Sequence, residues 1–300
     1  MIGSLIITYN PEIELLQKNL LSTHNQIERI LIVDNGSQNI DNITKLLSKL
    51  DFNVEIIKLE RNSGIAFALN IGIKFFKEKG FGWVLTLDQD SILPIGYVDK
   101  LSQRKEFKLK DTGILGAKYQ DISRNELISN YKDEIVNNPF LITSGSLTNI
   151  EAWENIGGFD NQLFIDVVDH DFNQRLIDNG YKVLQDNSIV FNHHLGSAVK
   201  RPMLKSLLLI KKDFNPSDHS KFRQYYIYRN SIIFIKRYSK KPLWHIIILF
   251  TTLRMLLLFQ DPFTKLIFAL RGFIDGVCYF PSKDVFFQEY LKKERKIFKK

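Results

Sequence analysis

Cysteine is almost missing from this 300-residue chain, which has Cys278 and no other. A single cysteine excludes an internal disulfide framework and a cysteine-rich zinc site, and it suits a reducing compartment. Set in an apolar helical stretch, Cys278 reads as a small hydrophobe. The start, Met1-Ile2-Gly3-Ser4-Leu5-Ile6-Ile7, lacks the positive region, long apolar core and small-residue cleavage site of a signal peptide, so the protein is expected to stay inside the cell. Internal repeats and low-complexity linkers are missing too. After the first predicted strand stands Thr8-Tyr9-Asn10-Pro11 where a dinucleotide-binding turn would have Gly-x-Gly-x-x-Gly, and there is no Walker phosphate loop. Those absences disfavour a nicotinamide dehydrogenase and a P-loop enzyme.

What is present is 44% hydrophobic, enough for one large domain or for one domain with an appendage. The net charge of +8 is unevenly spread. Residues 201–300 carry 21 Lys/Arg against 7 Asp/Glu, a net +14, whereas residues 1–200 carry 20 against 26, a net −6. An anionic partner for the last third follows, either a membrane or a nucleic acid. Two apolar runs lie there, Leu243–Phe259 and Phe263–Phe280, and neither makes a clean span. The first holds His245 and Arg254, the second Lys265, Arg271 and Asp275, whereas a spanning helix needs about twenty apolar residues. Helices lying in the membrane plane are expected, with packing on the catalytic domain or on a second subunit of a homodimer as the alternative.

The first ninety residues alternate short β-rich runs with segments of helical period, as in a parallel sheet with crossover helices. Strands are expected at Gly3–Thr8, Arg29–Val33, Val54–Lys58 and Trp83–Leu87, and helices at Glu12–Ser22, Ile40–Leu50 and Ile65–Lys79. Each strand ends in a polar cluster: Thr8-Tyr9-Asn10, Asp34-Asn35-Gly36-Ser37, Arg61-Asn62-Ser63-Gly64 and Asp88-Gln89-Asp90-Ser91. Ligands of open α/β sheets bind beyond the carboxyl ends of strands, so four polar ends converge on one crevice. Farther along, a strand at Gly113–Tyr119, a helix from Glu151, a Gly157-Gly158 turn, a helix over Asp169–Asn179 and short strands at Tyr181–Gln185 and Ile189–Asn192 complete a catalytic domain over residues 1–201. Residues 202–300 form a basic, apolar helical region.

Asp88-Gln89-Asp90 is the most informative triplet. Two carboxylates around one residue at a strand end can offer oxygen ligands to a hard divalent cation, Mg²⁺ or Mn²⁺, that also bridges a diphosphate. A solvated turn would explain such a triplet elsewhere. Here it stands among three other polar strand ends.

Thr8-Tyr9-Asn10, Val33-Asp34-Asn35-Gly36-Ser37, Asn62-Ser63-Gly64 and Asp88-Gln89-Asp90 resemble the successive motifs of family-2 glycosyltransferases with the GT-A fold, over about residues 1–200. Leu85–Ser91, Phe164–Phe172 and His193-His194-Leu195-Gly196 are similar to bacterial rhamnosyltransferases that use dTDP-rhamnose. The resemblance implies an α/β, Rossmann-like mostly parallel sheet and an inverting transfer from a nucleotide sugar, dTDP-rhamnose or a UDP-sugar, to a glycan or lipid-linked acceptor. It implies a donor site at Thr8, Tyr9, Asn10, Asp34, Asn62, Gly64, Asp88 and Gln89, with Asp34 on the pyrimidine edge and Tyr9 stacking or packing. Asp88, Asp90 and a histidine would serve the metal; of His193 and His194, His193 is the choice. Direct displacement needs a base for the acceptor hydroxyl. The resemblance gives Asp169, with Asp171 in reserve on the acceptor side beside Ser144 and Gly145, although Val168 stands where the family often has an acid. Tyr225–Asn230 extends the resemblance, with Arg229 reaching a diphosphate or serving a membrane-facing or core role.

Two other classes compete. A nucleic-acid-binding protein would use the basic tail and the aromatics of Phe222–Tyr228, but the apolar runs after Leu243 make a poor solvated groove, and no nucleic acid is expected. A non-catalytic membrane scaffold would not need Asp88, Asp90 and Asp169. The expected location is cytoplasmic, peripheral at the inner face of the cell membrane, with an anionic membrane surface as partner.

Overall fold

The structure, a computed structural model, describes residues 1–121, 134–193, 202–210 and 216–297. The chain opens with β1 (Ile2–Thr8), α1 (Ile13–His24), β2 (Ile30–Asp34), α2 (Ile40–Leu47), β3 (Val54–Lys58), α3 (Ile65–Glu78) and β4 (Trp83–Asp88), within two residues of every expected boundary except the end of α2. These strands are apolar on both faces because helices cover both. Leu5 and Ile7 of β1 meet Leu69, Ile73 and Phe76 of α3, while Ile6 between them meets Leu16 and Leu20 of α1 on the other side. Gly72 lets α3 approach closely: a Cβ there would lie 2.2 Å from a methyl of Leu5.

The sheet is mixed rather than parallel throughout. After α4 (Tyr97–Gln103) come β5 (Thr112–Asp121), β6 (Ile135–Asn137), β7 (Ser146–Asn149), α5 (Ile150–Asn155), α6 (Val168–Asp178) and β8 (Lys182–His193), and the eight strands run in the order β3-β2-β1-β4-β7-β5-β8-β6. β1 to β4 are mutually parallel, whereas β7 lies antiparallel to both β4 and β5. Parallel register aligns Thr8 with Asp34 and Ile7 with Asp88, so three motif ends stand side by side on one edge. Antiparallel β7 starts where β4 ends, Ser146 opposite Thr86, and brings residues 143–145 to the same edge.

The two short strands expected around Asn187 are one strand, β8. Its pairing with β5 slips between Ala117/Lys118, where the partner jumps from Asp186 to Val190. Asp186 closes that bulge by accepting from Ser188 N at 2.9 Å, and Arg104 pairs with the same carboxylate at 2.6 Å.

Beyond it stand α7 (Pro202–Leu207), α8 (Lys221–Tyr238), α9 (Pro242–Thr252), α10 (Pro262–Cys278) and α11 (Val285–Ile297). α10 lies against α8 through Gly272 and Gly276; a Cβ on Gly272 would sit 2.1 Å from the Tyr225 carbonyl oxygen. A separate core of Tyr228, Leu253, Leu256, Leu258, Phe259 and Ala269 forms beneath them. The run Leu243–Phe259 is not one helix, because it passes into a 3₁₀ turn at Leu253–Leu258. α9 buries none of its residues, and Trp244, Ile247 and Ile248 are exposed along it. Cys278 is exposed at the end of α10. No described helix is long and apolar enough to cross a membrane.

Candidate active site

The strand ends are knitted together by their own side chains. Asp34 accepts from Thr8 Oγ1 at 2.9 Å, from Ser37 N at 2.9 Å and from Ser37 Oγ at 2.5 Å. It is 1% exposed. Both carboxylate oxygens thus tie β1 to the turn after β2. Asn10, in the left-handed region at φ 49°, donates from N to Ser37 Oγ and accepts from Gln38 N at 2.7 Å. Tyr9 N donates to Gln89 Oε1 at 2.8 Å, which binds the first motif to the Asp-Gln-Asp loop, and the Tyr9 ring stays 45% exposed. A cleft of about 220 Å³ opens there, lined by Asn10, Glu12, Leu15, Gln89 and Asp90.

The third motif turns the chain onto the opposite wall. Gly64 sits at φ 90°, and a Cβ would lie 2.7 Å from Phe164 Cα, so both its backbone and its closeness demand glycine. Asn62 Oδ1 accepts from Gly64 N at 3.0 Å, and Ile65 N donates to Phe164 O at 2.7 Å.

Just before β7, Thr143 and Ser144 act as a bridge. Thr143 Oγ1 donates to Asp169 Oδ1, while the adjacent Ser144 Oγ accepts from Asp88 N at 3.0 Å and lies 3.0 Å from Ser91 Oγ. Gly145 N donates to Thr86 O at 2.8 Å, and its carbonyl accepts from the buried Tyr97 hydroxyl. Two consecutive residues thus join the candidate base to the loop of strand-end carboxylates.

Asp169 and Asp171 share the first turn of α6 but not a setting. Asp169 is partly exposed. Asp171 is 1% exposed and meets Arg175 at 2.9 Å, Arg237 at 2.7 Å and the Tyr238 hydroxyl at 2.8 Å. Burial alone would raise its pKa, but Arg175, Arg237 and those hydrogen bonds outweigh it and hold the carboxyl below its ordinary value. A base must take up a proton, so the reserve role for Asp171 on the acceptor side is corrected to a buried ion pair. Val168, next to Asp169, is core, 4% exposed. His170, between Phe140 and Phe234, has its pKa pushed down by burial, with Asp166 opposing.

The segment before Asp169 is strained. Phe164 (φ 57°, ψ −65°) is the centre of a γ-turn closed by Ile165 N to Leu163 O at 2.6 Å, and Asp166 and Val167 follow at φ 62° and 64°. Three non-glycine residues at positive φ cost on the order of 1–3 kcal/mol each and persist only when neighbours over-determine them. Those neighbours are on α8, of which the sequence marked Tyr225–Asn230 but not Arg223 or Arg237. Arg229 is among them: its Nη1 donates to Gln162 O at 3.0 Å and to Asn230 Oδ1 at 2.8 Å.

Of the expected metal ligands, Asp88 and Asp90 stand at the crevice. His193 ends β8, its side chain outside the described residues, and His194 lies outside them altogether. Among the described residues no three His, Cys, Asp or Glu side chains cluster as a ready-made metal cage.

A mixed sheet of this order, with a carboxylate loop at its strand ends and a carboxylate-bearing helix across from it, defines a GT-A-like nucleotide-sugar transferase architecture. The sequence profile of glycosyl transferase family 2 matches residues 4–162. The chain is 30% identical over 252 residues to the dTDP-rhamnosyl transferase RfbF of Shigella flexneri, covering 79% of this chain and 80% of that one. It belongs to glycosyl transferase family 2 and is a glycosyltransferase. Among solved structures, the mannosyltransferase PcManGT from Pyrobaculum calidifontis, in complex with GDP-Man and Mn²⁺, superposes with a TM-score of 0.54 at 12% identity, over 99% of this chain and 84% of that one. GalNAc-T7 with UDP, GalNAc and Mn²⁺ gives 0.53 at 14% identity over 77% of this chain, which spans half of that structure's length. These two share the fold.

Proposed function

We propose that this protein is an inverting transferase that moves L-rhamnose from dTDP-rhamnose to a glycan acceptor carried on a lipid, for cell-surface polysaccharide synthesis at the inner face of the membrane. The observation that carries the reading is the Thr143-Ser144 bridge, which sets Asp169 across a short gap from the Asp88–Asp90 loop. Similarity to a dTDP-rhamnosyl transferase supports the donor.

The donor set suits a divalent cation. Mg²⁺ and Mn²⁺ are commonly held by one or two carboxylates and completed by substrate phosphates, which the pair Asp88 and Asp90 suits. Asp90, on the cleft wall, and Asp88 would hold the ion with His193, and it would neutralise charge developing on the leaving diphosphate. The residues of the chain do the rest. Tyr9 offers an exposed ring to the base, Asp34 and Ser37 keep the floor of the pocket rigid, and Gln89 fixes the Asp-Gln-Asp loop to β1. Asp169 takes the acceptor hydroxyl proton as that oxygen attacks the anomeric carbon and the bond to the nucleotide diphosphate breaks. Thr143 aims the carboxylate through its hydrogen bond to Oδ1.

The exposed apolar side chains of α9, with Lys240 and Lys241 before it, give the protein a membrane-facing surface; basic residues near an anionic leaflet contribute about 1 kcal/mol each. A lipid-linked acceptor then reaches Asp169 without leaving the membrane. Titrating dTDP into wild type and Asp90→Ala, each with Mn²⁺ and with EDTA, tests the donor site. Affinity should depend on the metal in wild type and lose that dependence in the variant. Equal, metal-independent affinity in both would overturn it.

A further inference from the structure

α8 carries three polar residues spaced seven apart, Arg223, Asn230 and Arg237. Seven residues is close to two helical turns, so all three project from one face. In a helix whose remaining interior positions include Tyr228, Ile232 and Ile233, that polar stripe has no value for burial by itself. Each member points at the segment 160–171. Arg223 holds both oxygens of Asp166, with contacts of 2.9, 3.0 and 3.1 Å. Asn230, fully buried, aims its amide nitrogen at three carbonyl oxygens of the strained turn: Leu163, Ile165 at 2.8 Å and Asp166 at 3.1 Å. Arg237, with its side chain out of solvent, meets Asp160 at 2.6 Å and Asp171 at 2.7 Å, and Asp284 ahead of α11 at 2.5 Å. Aromatic contacts reinforce the grip, since Tyr226 stacks on Phe164 with ring centroids 5.0 Å apart and planes 15° from parallel.

We infer that this face of α8 is a clasp that positions the catalytic base, with Arg223 and Asn230 as positioning residues for the transfer reaction. The inference rests on the reading of Asp169 as the base. Left-handed Asp166 and Val167 immediately precede α6, and Val167 is its N-cap, so their backbone sets where the first turn of α6, and Asp169 with it, emerges. Strained residues relax when the bonds over-determining them are cut. Releasing Asp166 from Arg223 therefore turns Asp169 away from Thr143 and the crevice while leaving the Thr8–Asp34–Gln89 side untouched. The grip on Asp166 lies outside the family-matched residues 4–162. It comes from a helix about sixty residues farther along the chain.

The test uses the full-length chain and four proteins: wild type, Arg223→Ala, Arg223→Lys and Asn230→Ala. Hydrogen exchange of peptides covering 162–169 is compared with that of α3, dTDP binding is measured with MnCl₂, and kcat and donor KM are measured with dTDP-rhamnose. In Arg223→Ala, whose arginine is 42% exposed and tied to one carboxylate, exchange over 162–169 should quicken at least tenfold. Exchange of α3 and dTDP affinity should stay within twofold of wild type. kcat should fall at least tenfold at unchanged donor KM, and Arg223→Lys should recover part of it. Asn230→Ala should show the same split if it folds; Arg223→Ala decides the matter if it does not. Unchanged loop exchange and kcat in Arg223→Ala overturn the inference. So does a loss of dTDP binding in step with kcat that Arg223→Lys does not repair. Loop exchange is read without substrate, so a wild type inactive on dTDP-rhamnose counts against the donor assignment alone, and the exchange comparison still decides the clasp.

Discussion

The two walls of the crevice are built by different physics. The proposed donor wall uses residues 8–10, 34–38 and 88–90, each within four residues of a strand end, brought together by the parallel register of adjacent strands. Several of its hydrogen bonds join one strand end to the next: Thr8 to Asp34, Asn10 to Ser37, Tyr9 to Gln89. The proposed acceptor wall, which carries Asp169 within residues 160–171, has a γ-turn, three non-glycine residues at positive φ and the start of α6, and it is held from α8 by partners more than fifty residues away. A wall set by sheet register tolerates change in its neighbours. A wall set by remote contacts inherits every fault in them.

The largest effect that this contrast predicts is at Asp169. Asp169→Asn keeps the shape and removes the base, so transfer should fall by on the order of 10²–10⁴-fold while dTDP binding is retained. Loss of dTDP binding in that variant would break the separation of the walls. Next comes Arg237→Met. It leaves Asp160, Asp171 and Asp284 without their shared cation in a buried site, which should destabilise the fold by about 3–5 kcal/mol in urea denaturation. A loss under about 1 kcal/mol would show that the acceptor wall does not depend on α8.

How much could be read in advance follows the same division. The strand-end motifs were legible because a short apolar strand and its polar terminus are local features, and β3 was found at its observed bounds. β6 and the insertion of antiparallel β7 beside β4 were not, because three- and four-residue strands carry little periodicity and their placement is tertiary. β8 was split at Asp186-Asn187-Ser188, which reads as a turn and is a bulge anchored by Arg104. Asp169 and Asp171 were both legible as candidates and the burial of Asp171 was not, since two carboxylates on one turn look alike until Arg237 is seen to reach one of them. One signal was available: Arg223, Asn230 and Arg237 stand at a seven-residue interval in an aromatic and aliphatic helix.

Smaller effects sharpen the comparison. Asp171 has a lowered pKa in the fold, so its contribution to stability is present above about pH 3.9, the unfolded value, and is lost as the pH falls through the folded one. Asp284 acts in the same direction. Asp160, raised mainly by burial against the opposing pull of Arg237, acts oppositely, its contribution being lost as the pH rises. Urea midpoints of wild type should therefore drop between pH 5 and pH 3, and the drop should be shallower in Asp171→Asn; an equal slope would contradict the ion-pair reading. Least in size is the membrane surface. Trp244, 60% exposed on α9, should enter the headgroup region, and Trp244→Ser should weaken flotation of the full chain with anionic vesicles about tenfold, roughly 1.4 kcal/mol. Unchanged flotation would assign that face to something other than lipid.

The central claim is that the crevice binds a nucleotide sugar through the Asp88–Asp90 loop and delivers the sugar past Asp169. Release of dTDP from dTDP-rhamnose by the purified chain, followed with Mn²⁺, after chelation and after Mn²⁺ is restored, addresses it most directly. Turnover should appear, stop with EDTA and return with the metal. Turnover indifferent to chelation, or cleavage of a UDP- or GDP-sugar with none of dTDP-rhamnose, would contradict the account.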